Sequence, residues 1–214
     1  MKRFLLVLAA VFLMVGSAQA ATVTYGWEDG KDILGSYGNI TAENGSQYVR
    51  SGSQSLTLID QGSGTPQAYV GWVTGIDEGD KVTASFWVYD ETPQGDYPKG
   101  RIWGHYSANG DINDYSGSAS GNYDYSEQGW TLLEMTWIFT VDNGDNETND
   151  GLVIEARTYG GTGDTIWVDD ITITAPDHAT INFAGAAAPV PVPGTILLLG
   201  SGLAAVCGLR RKGS

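Results

Sequence analysis

Between residues 21 and 176 the chain alternates apolar and polar side chains with a period of two, in stretches broken by clusters of Gly, Asn, Asp and Ser. No run in this region repeats apolar residues at the interval of an amphipathic helix. Successive side chains of a strand point to opposite faces, so the pattern commits the region to β-structure with one face of each strand buried. The clearest stretches are "SLTLI" (55–59), "YVGWVT" (69–74), "KVTASFWVYD" (81–90), "GRIWGHYS" (100–107), "TLLEMTWIFTV" (131–141), "GLVIEARTYG" (151–160) and "TIWVDDITIT" (165–174). With one more near "TVTYGW" (22–27) they fill two stacked layers. The expected fold is an all-β, two-sheet antiparallel jelly-roll sandwich.

Splitting each strand into its two rows separates a core face from a chemical one. Val82, Ala84, Phe86 and Val88 suit a core, against Thr83, Ser85, Trp87 and Tyr89. Ile102, Gly104 and Tyr106 stand against Arg101, Trp103 and His105, and Leu152, Ile154 and Ala156 against Glu155, Arg157 and Tyr159. If these strands are neighbours, Trp87, Tyr89, Arg101, Trp103, His105, Glu155, Arg157 and Tyr159 line one surface. Flat aromatics stack on the C–H faces of sugar rings, and carboxylate and guanidinium groups pair with ring hydroxyls, so the expected ligand is a polysaccharide. The stretch "SANGDINDYSGSASGNYDYSEQG" (107–129) is poor in core formers and reads as a long loop that opens or blocks this surface. Its Tyr115, Tyr123 and Tyr125 make it a candidate binding loop.

The two ends read as addresses. "MKRFLLVLAAVFLMVGSAQA" (1–20) has Lys2 and Arg3, an apolar run and small residues closing at Ala20, the plan of a signal peptide for export by the Sec route. At the other end, 190–214 carries a short apolar helix over about 194–209, at the low edge of what spans a bilayer, followed by Arg210, Arg211 and Lys212. Those cations would stay on the cytoplasmic side, so the helix tethers the body to the inner membrane, outside the cytoplasm. Residues 177–189 read as a flexible linker stiffening into the prolines.

With both ends set aside, the body carries 25 acids against six Lys and Arg, a formal charge of −19. Phosphate contacts need clustered cations, so nucleic acid is not an expected partner. The single cysteine, Cys207, lies in the C-terminal segment, so no disulfide staples the body. There is no G-x-S-x-G and no H-E-x-x-H, and the two histidines are His105 and His178. No catalytic residue is assigned. The competing readings are a structural matrix or adhesion protein without a sugar site, and a polysaccharide lyase or glycoside hydrolase. A hydrolase would need two carboxylates across the groove, of which only Glu155 is placed.

Two resemblances extend these readings. "VPVPGT" with a glycine-interrupted apolar run and a closing "RRK" resembles the PEP-CTERM sorting signal of Gram-negative bacteria that secrete polysaccharide matrices. The matching positions are Pro191, Pro193, Gly194, Thr195, Arg210, Arg211 and Lys212, with Val192 where the motif's glutamate would stand. The resemblance implies an exosortase-like membrane peptidase as partner and release to the cell surface or extracellular matrix. In the body, "YGWEDG" (25–30), "VRSGSQSLTL" (49–58), "VTASFWVYD" (82–90), "GWTLLEMTWIFTV" (129–141) and "IWVDDITIT" (166–174) resemble, in order and spacing, the carbohydrate-binding modules of families four, nine and twenty-two, which are galactose-binding-like sandwiches. That resemblance implies a glycan-binding sheet and a structural Ca²⁺ held by Glu28 and Asp170, with backbone carbonyls near Lys31, Ser51 and Gln54. Calcium takes six to eight oxygen ligands, which this set can supply. The pair Asp169-Asp170 also reads as a turn or bulge.

Overall fold

The computed structural model describes residues 20–185, apart from 63, 94, 95, 97, 98, 143 and 145–147. The expected signal peptide, C-terminal helix and sorting motif lie outside the described residues, save Ala20. Twelve strands form two six-stranded antiparallel sheets: β1 (Ala20–Tyr25), β2 (Gly35–Tyr37), β3 (Ile40–Gly45), β4 (Ser55–Asp60), β5 (Gln67–Thr74), β6 (Lys81–Asp90), β7 (Lys99–Ala108), β8 (Asp111–Gly121), β9 (Gly129–Ile138), β10 (Gly151–Tyr159), β11 (Thr165–Pro176) and β12 (Thr180–Asn182). Sheet one runs β3-β4-β11-β6-β9, with β1 also on β11; sheet two runs β12-β5-β10-β7-β8, with β2 also on β5. The all-β, two-sheet antiparallel sandwich is as expected.

Alternation decides the core. Val82, Ala84, Phe86 and Val88 of β6 and Ile166 and Val168 of β11 face Ile102 of β7 and Leu152, Ile154 and Ala156 of β10 in one buried cluster. In β11 the parity changes midway: Val168 and Ile171 are both buried. The register with β6 shifts between Asp169 and Thr172, and Asp170 sits in the left-handed region at φ 52°. An extra residue in a strand resets which side chains face inward, so the bulge at Asp170 keeps Ile171, Ile173 and Ala175 in the core.

Two segments differ from expectation. Asp111–Gly121, expected within a loop, is strand β8, paired with β7 through three register shifts. Its side chains are mostly small and polar; backbone hydrogen bonding, rather than burial of an apolar row, makes it a strand, a tertiary effect that overrides weak β-propensity. Its last residue, Gly121, lies against β7 so closely that a Cβ there would be 2.4 Å from the Ile102 carbonyl oxygen and 2.7 Å from Trp103 Cα. Because those are backbone atoms, Gly121→Ala is expected to prise the end of β8 from β7 and lower stability by about 1–3 kcal/mol in thermal denaturation. The second segment is 177–189: Thr180–Asn182 is β12, paired with Thr74–Trp72 of β5, and Phe183 stacks on Tyr25 at 5.2 Å. The sandwich therefore reaches past residue 176 into the expected linker.

Candidate functional site

The longest unbroken pairing in sheet two joins β7 to β10, with Glu155 opposite Trp103, Arg157 opposite Arg101 and Tyr159 opposite Lys99. Because Ile102, Ile154 and Ala156 are committed to the core, the other parity of both strands stands on the outer face. Arg101, Trp103, His105, Glu155, Arg157 and Tyr159 are thus brought together, as the alternation predicted. Trp87 and Tyr89 are not. They belong to β6 in sheet one, where Trp87 lies under the Arg50 guanidinium at 4.4 Å and Tyr89 stacks on Tyr48 at 4.0 Å. Alternation assigns a face within a strand but not the sheet to which the strand belongs. That surface is the opposite side of the sandwich.

Glu155 organises the outer face of sheet two. It is fully buried, its Oε1 lies 2.5 Å from His105 Nδ1, and its Oε2 accepts from Arg157 Nε at 2.5 Å. Charge-assisted contacts of this kind hold both partners in fixed orientations. The Arg157 guanidinium lies over the Trp103 ring at 4.5 Å. The His105 ring, 1% exposed, packs against Tyr69 at 4.9 Å and Tyr115 at 5.5 Å between centroids. Burial and the neighbouring Glu155 charge push the Tyr69 hydroxyl up to about 12, so it stays a neutral donor at physiological pH. Glu155 and His105, expected on the exposed surface, are instead beneath it and set the positions of the groups above.

Above them lies a groove of about 420 Å³ lined by Tyr37, Gln67, Tyr69, Asn113, Tyr115 and Arg157. Tyr37 and Tyr115 are 63% and 59% exposed. His105 Nε2 is buried and has no hydrogen-bond partner within the protein. A buried polar atom without a partner costs about 1–3 kcal/mol, and this one lies beneath the groove, under Tyr69 and Tyr115, rather than on its lining.

Beside the groove, Arg101 is enclosed by aromatic rings: its guanidinium lies 4.9 Å from the Trp103 centroid, 4.8 Å from those of Tyr123 and Tyr125, and 5.5 Å from that of Tyr159. Its Nε donates to the Asn122 carbonyl at 3.0 Å, and its Nη2 is buried without a partner. The segment expected as a candidate binding loop thus supplies two groove residues, Asn113 and Tyr115, and two rings of this enclosure, Tyr123 and Tyr125.

Tyr37, Gln67, Tyr69 and Asn113 were not anticipated. In β5 simple alternation puts Tyr69 on the same side as Gly71 and Val73. The pairing with β10 shifts between Ile154 and Glu155, leaving Val70 as an extra residue, and the parity reverses. Val70 and Val73 then both reach the core while Tyr69 turns outward.

The expected metal ligands stand where β11 passes from β4 to β1. Glu28 accepts hydrogen bonds from the Ser53 amide and hydroxyl and the Gln54 amide, which hold its carboxyl below the usual range, the hydroxyl most. Asp170 Oδ1 accepts from Ser51 Oγ at 2.6 Å. Asp169 is fully buried and accepts from the amides of Arg50, Ser51 and Asp170; burial pushes its carboxyl up to about 6. Amides, not carbonyls, of Ser51, Ser53 and Gln54 face these carboxylates or their neighbour, and the Lys31 carbonyl is turned to Asn44 Nδ2 at 2.7 Å. The pair Asp169-Asp170 forms the bulge of β11. Elsewhere, the exposed His178 lies with its Nε2 2.9 Å from Asp80 and 3.6 Å from Asp77.

Residues 189–212 match the PEP-CTERM protein-sorting motif, a span that contains Pro191, Pro193, Gly194, Thr195, Arg210, Arg211 and Lys212. No curated protein matches the sequence. Among solved structures, the chain is similar to the CBM22-1–CBM22-2 tandem of Paenibacillus barcinonensis Xyn10C, at 12% identity and a TM-score of 0.51 over 75% of this chain and 48% of that one. It thus spans about half the length of that tandem. The CBM22-2 xylan-binding domain of the same enzyme aligns at 23% identity and a TM-score of 0.47, over 71% and 98% of the two chains. A TmCBM61 structure in complex with β-1,4-galactotriose aligns at 13% and 0.44, over 69% and 92%. The fold is that of β-sandwich carbohydrate-binding modules, and the tail carries a PEP-CTERM sorting motif.

Proposed function

We propose that this chain is an exported, non-catalytic carbohydrate-binding protein whose ligand lies in the groove on the outer face of sheet two. The observation that carries this reading is the groove's construction: exposed tyrosines on its walls, above a buried His105–Glu155–Arg157 network whose His105 Nε2 lacks a partner. Tyrosine faces stack on sugar rings, while Gln67, Asn113 and Arg157 supply donors and acceptors for hydroxyls. Binding rather than hydrolysis is favoured because Glu155 is buried with both oxygens engaged, whereas a glycosidase needs two carboxylates facing the scissile bond. The similar modules named above bind xylan or galactotriose, which supports the ligand class. The test is affinity electrophoresis through a panel of polysaccharides, with each gel assayed afterwards for new reducing or unsaturated ends. Retardation with intact polysaccharide is expected. Released ends would make the protein an enzyme, and the absence of retardation on every glycan would favour a structural matrix protein.

The sorting motif at 189–212 supports delivery of this body to the cell surface or extracellular matrix of a Gram-negative bacterium, through Sec export, transient tethering in the inner membrane and exosortase processing. Glycan binding would then retain the released protein in the matrix.

Ca²⁺ joins Glu28 and Asp170 in the same proposal. The donor chemistry fits a hard cation, since both carboxylates, with the Ser51 and Ser53 hydroxyls, offer oxygen only. The buried Asp169 beside them, hydrogen-bonded to backbone amides, makes a nearby positive charge favourable. The ion would tie the β1–β11 junction to the loop before β4 in a body without a disulfide. Excess chelator is expected to lower the melting temperature by roughly 5–10 °C, the consequence of losing a ligand present at about a hundred times its dissociation constant. Asp170→Asn should remove the response, and an unchanged melt in chelator would remove the ion from the account.

A further inference from the structure

The groove on sheet two has a single charged lining residue, and it is a cation, which narrows its ligand. Of its six lining residues only Arg157 is charged. The concavity around Asp90, Asp96, Asp124 and Glu127 and the one around Glu43, Glu91 and Asp164 both carry several carboxylates.

The cations are also clustered. Three of the six, Lys99, Arg101 and Arg157, lie on the adjacent strands β7 and β10, and Arg101 and Arg157 are direct cross-strand partners. Like charges opposite one another destabilise a sheet. Here the opposition is sustained by Glu155, which pairs with Arg157, and by four aromatic rings around Arg101 that stabilise a guanidinium electrostatically. Glu155 pairs with Arg157, so the unbalanced positive charge of the group is that of Arg101, which lies beside the groove and not in its lining. In β8, Asp111 accepts from the Asn113 amide and side chain, and it is Asn113 that lines the groove.

Resting on the carbohydrate-binding reading above, we propose that the groove selects polysaccharides whose rings carry carboxylates, that is, uronic-acid polymers, over neutral chains of the same shape. Tyr37 and Tyr115 hold the ring faces, and the planar Arg157 guanidinium, fixed on Trp103, meets the ring carboxylate with the paired donors that match its geometry. The remaining acids of the body do not cancel this preference, because exposed charges beyond about 8 Å are largely screened at physiological ionic strength. The local charge at the groove then decides which chain is held.

The experiment uses the full chain in matched pairs of polymers that differ in charge and not in backbone: polygalacturonate against its methyl ester, glucuronoxylan against carboxyl-reduced xylan, and alginate against its propylene-glycol ester. Affinity electrophoresis is expected to show at least one acidic member binding about tenfold or more tighter than its neutral partner. Arg157→Gln, which keeps an amide donor but removes the charge, should bring the two members of that pair to equal affinity, and Arg157→Lys should retain part of the difference. Equal or tighter binding of the neutral member in every pair that binds would overturn the selectivity while leaving glycan binding intact. No retardation by any polymer would overturn both. Should Arg157→Gln fail to fold, the acid-to-ester ratio of the unaltered protein still decides the question.

Discussion

Glu155→Ala is expected to lower the melting temperature by roughly 10 °C. Glu155 has no exposure, and its two oxygens hold His105 and Arg157. Removing one partner of a buried ionic network leaves the others uncompensated, which costs about 3–5 kcal/mol, and a domain of this size loses about 2–4 °C per kcal/mol. Glu155→Gln preserves the volume and one carbonyl acceptor, so its loss should be smaller. Circular dichroism melts of both variants measure the difference. An alanine variant within about 2 °C of the parent would show that the network contributes little to the fold. Glycan retention should fall in both variants, because Arg157 and His105 would lose the group that orients them.

The second large effect is on binding alone. Tyr37→Ala combined with Tyr115→Ala should weaken glycan retention by about a hundredfold or more, since aromatic anchors are the residues whose truncation most often removes 2 kcal/mol or more from a complex. More than half of each tyrosine is exposed, so the melting temperature should stay close to the parent's. The two variants separate roles that a single substitution would confound: Glu155 builds the groove and the tyrosines touch what enters it. A fall in stability as large as that of Glu155→Ala would place the tyrosines in the core instead.

Much of this arrangement is legible in the order of residues. The strands β6, β7 and β10 alternate over nine or ten residues, and their core rows are those the alternation names, whereas the bulge at Asp170 resets the row in β11. The six site residues on β7 and β10 follow from the same pattern. Trp87 and Tyr89 were grouped with them because alternation carries no information about which sheet a strand joins; that depends on the long-range pairing of β6 with β9 and β11. Tyr69 was hidden by one extra residue in β5, and Tyr37 by a strand of only three residues. The strand β8 was hidden because "DINDYSGSASG" has no apolar row, so nothing in its composition separates it from a loop. Bulges, short edge strands and polar strands are all set by tertiary pairing, where local propensity is weakest.

The His105 ring packs against Tyr69 and Tyr115 of the groove wall, so it reports on what enters the groove. The chain has two histidines, His105 beneath the groove and His178 in a different part of the molecule, beside Asp77 and Asp80. Titrating ¹⁵N-labelled protein with a retained oligosaccharide and following the imidazole nitrogens should shift His105 Nε2 in a saturable manner, with His178 unchanged as an internal control. If the protein binds the glycan while both histidines keep their resonances, the ligand lies elsewhere and the groove on sheet two is not the site.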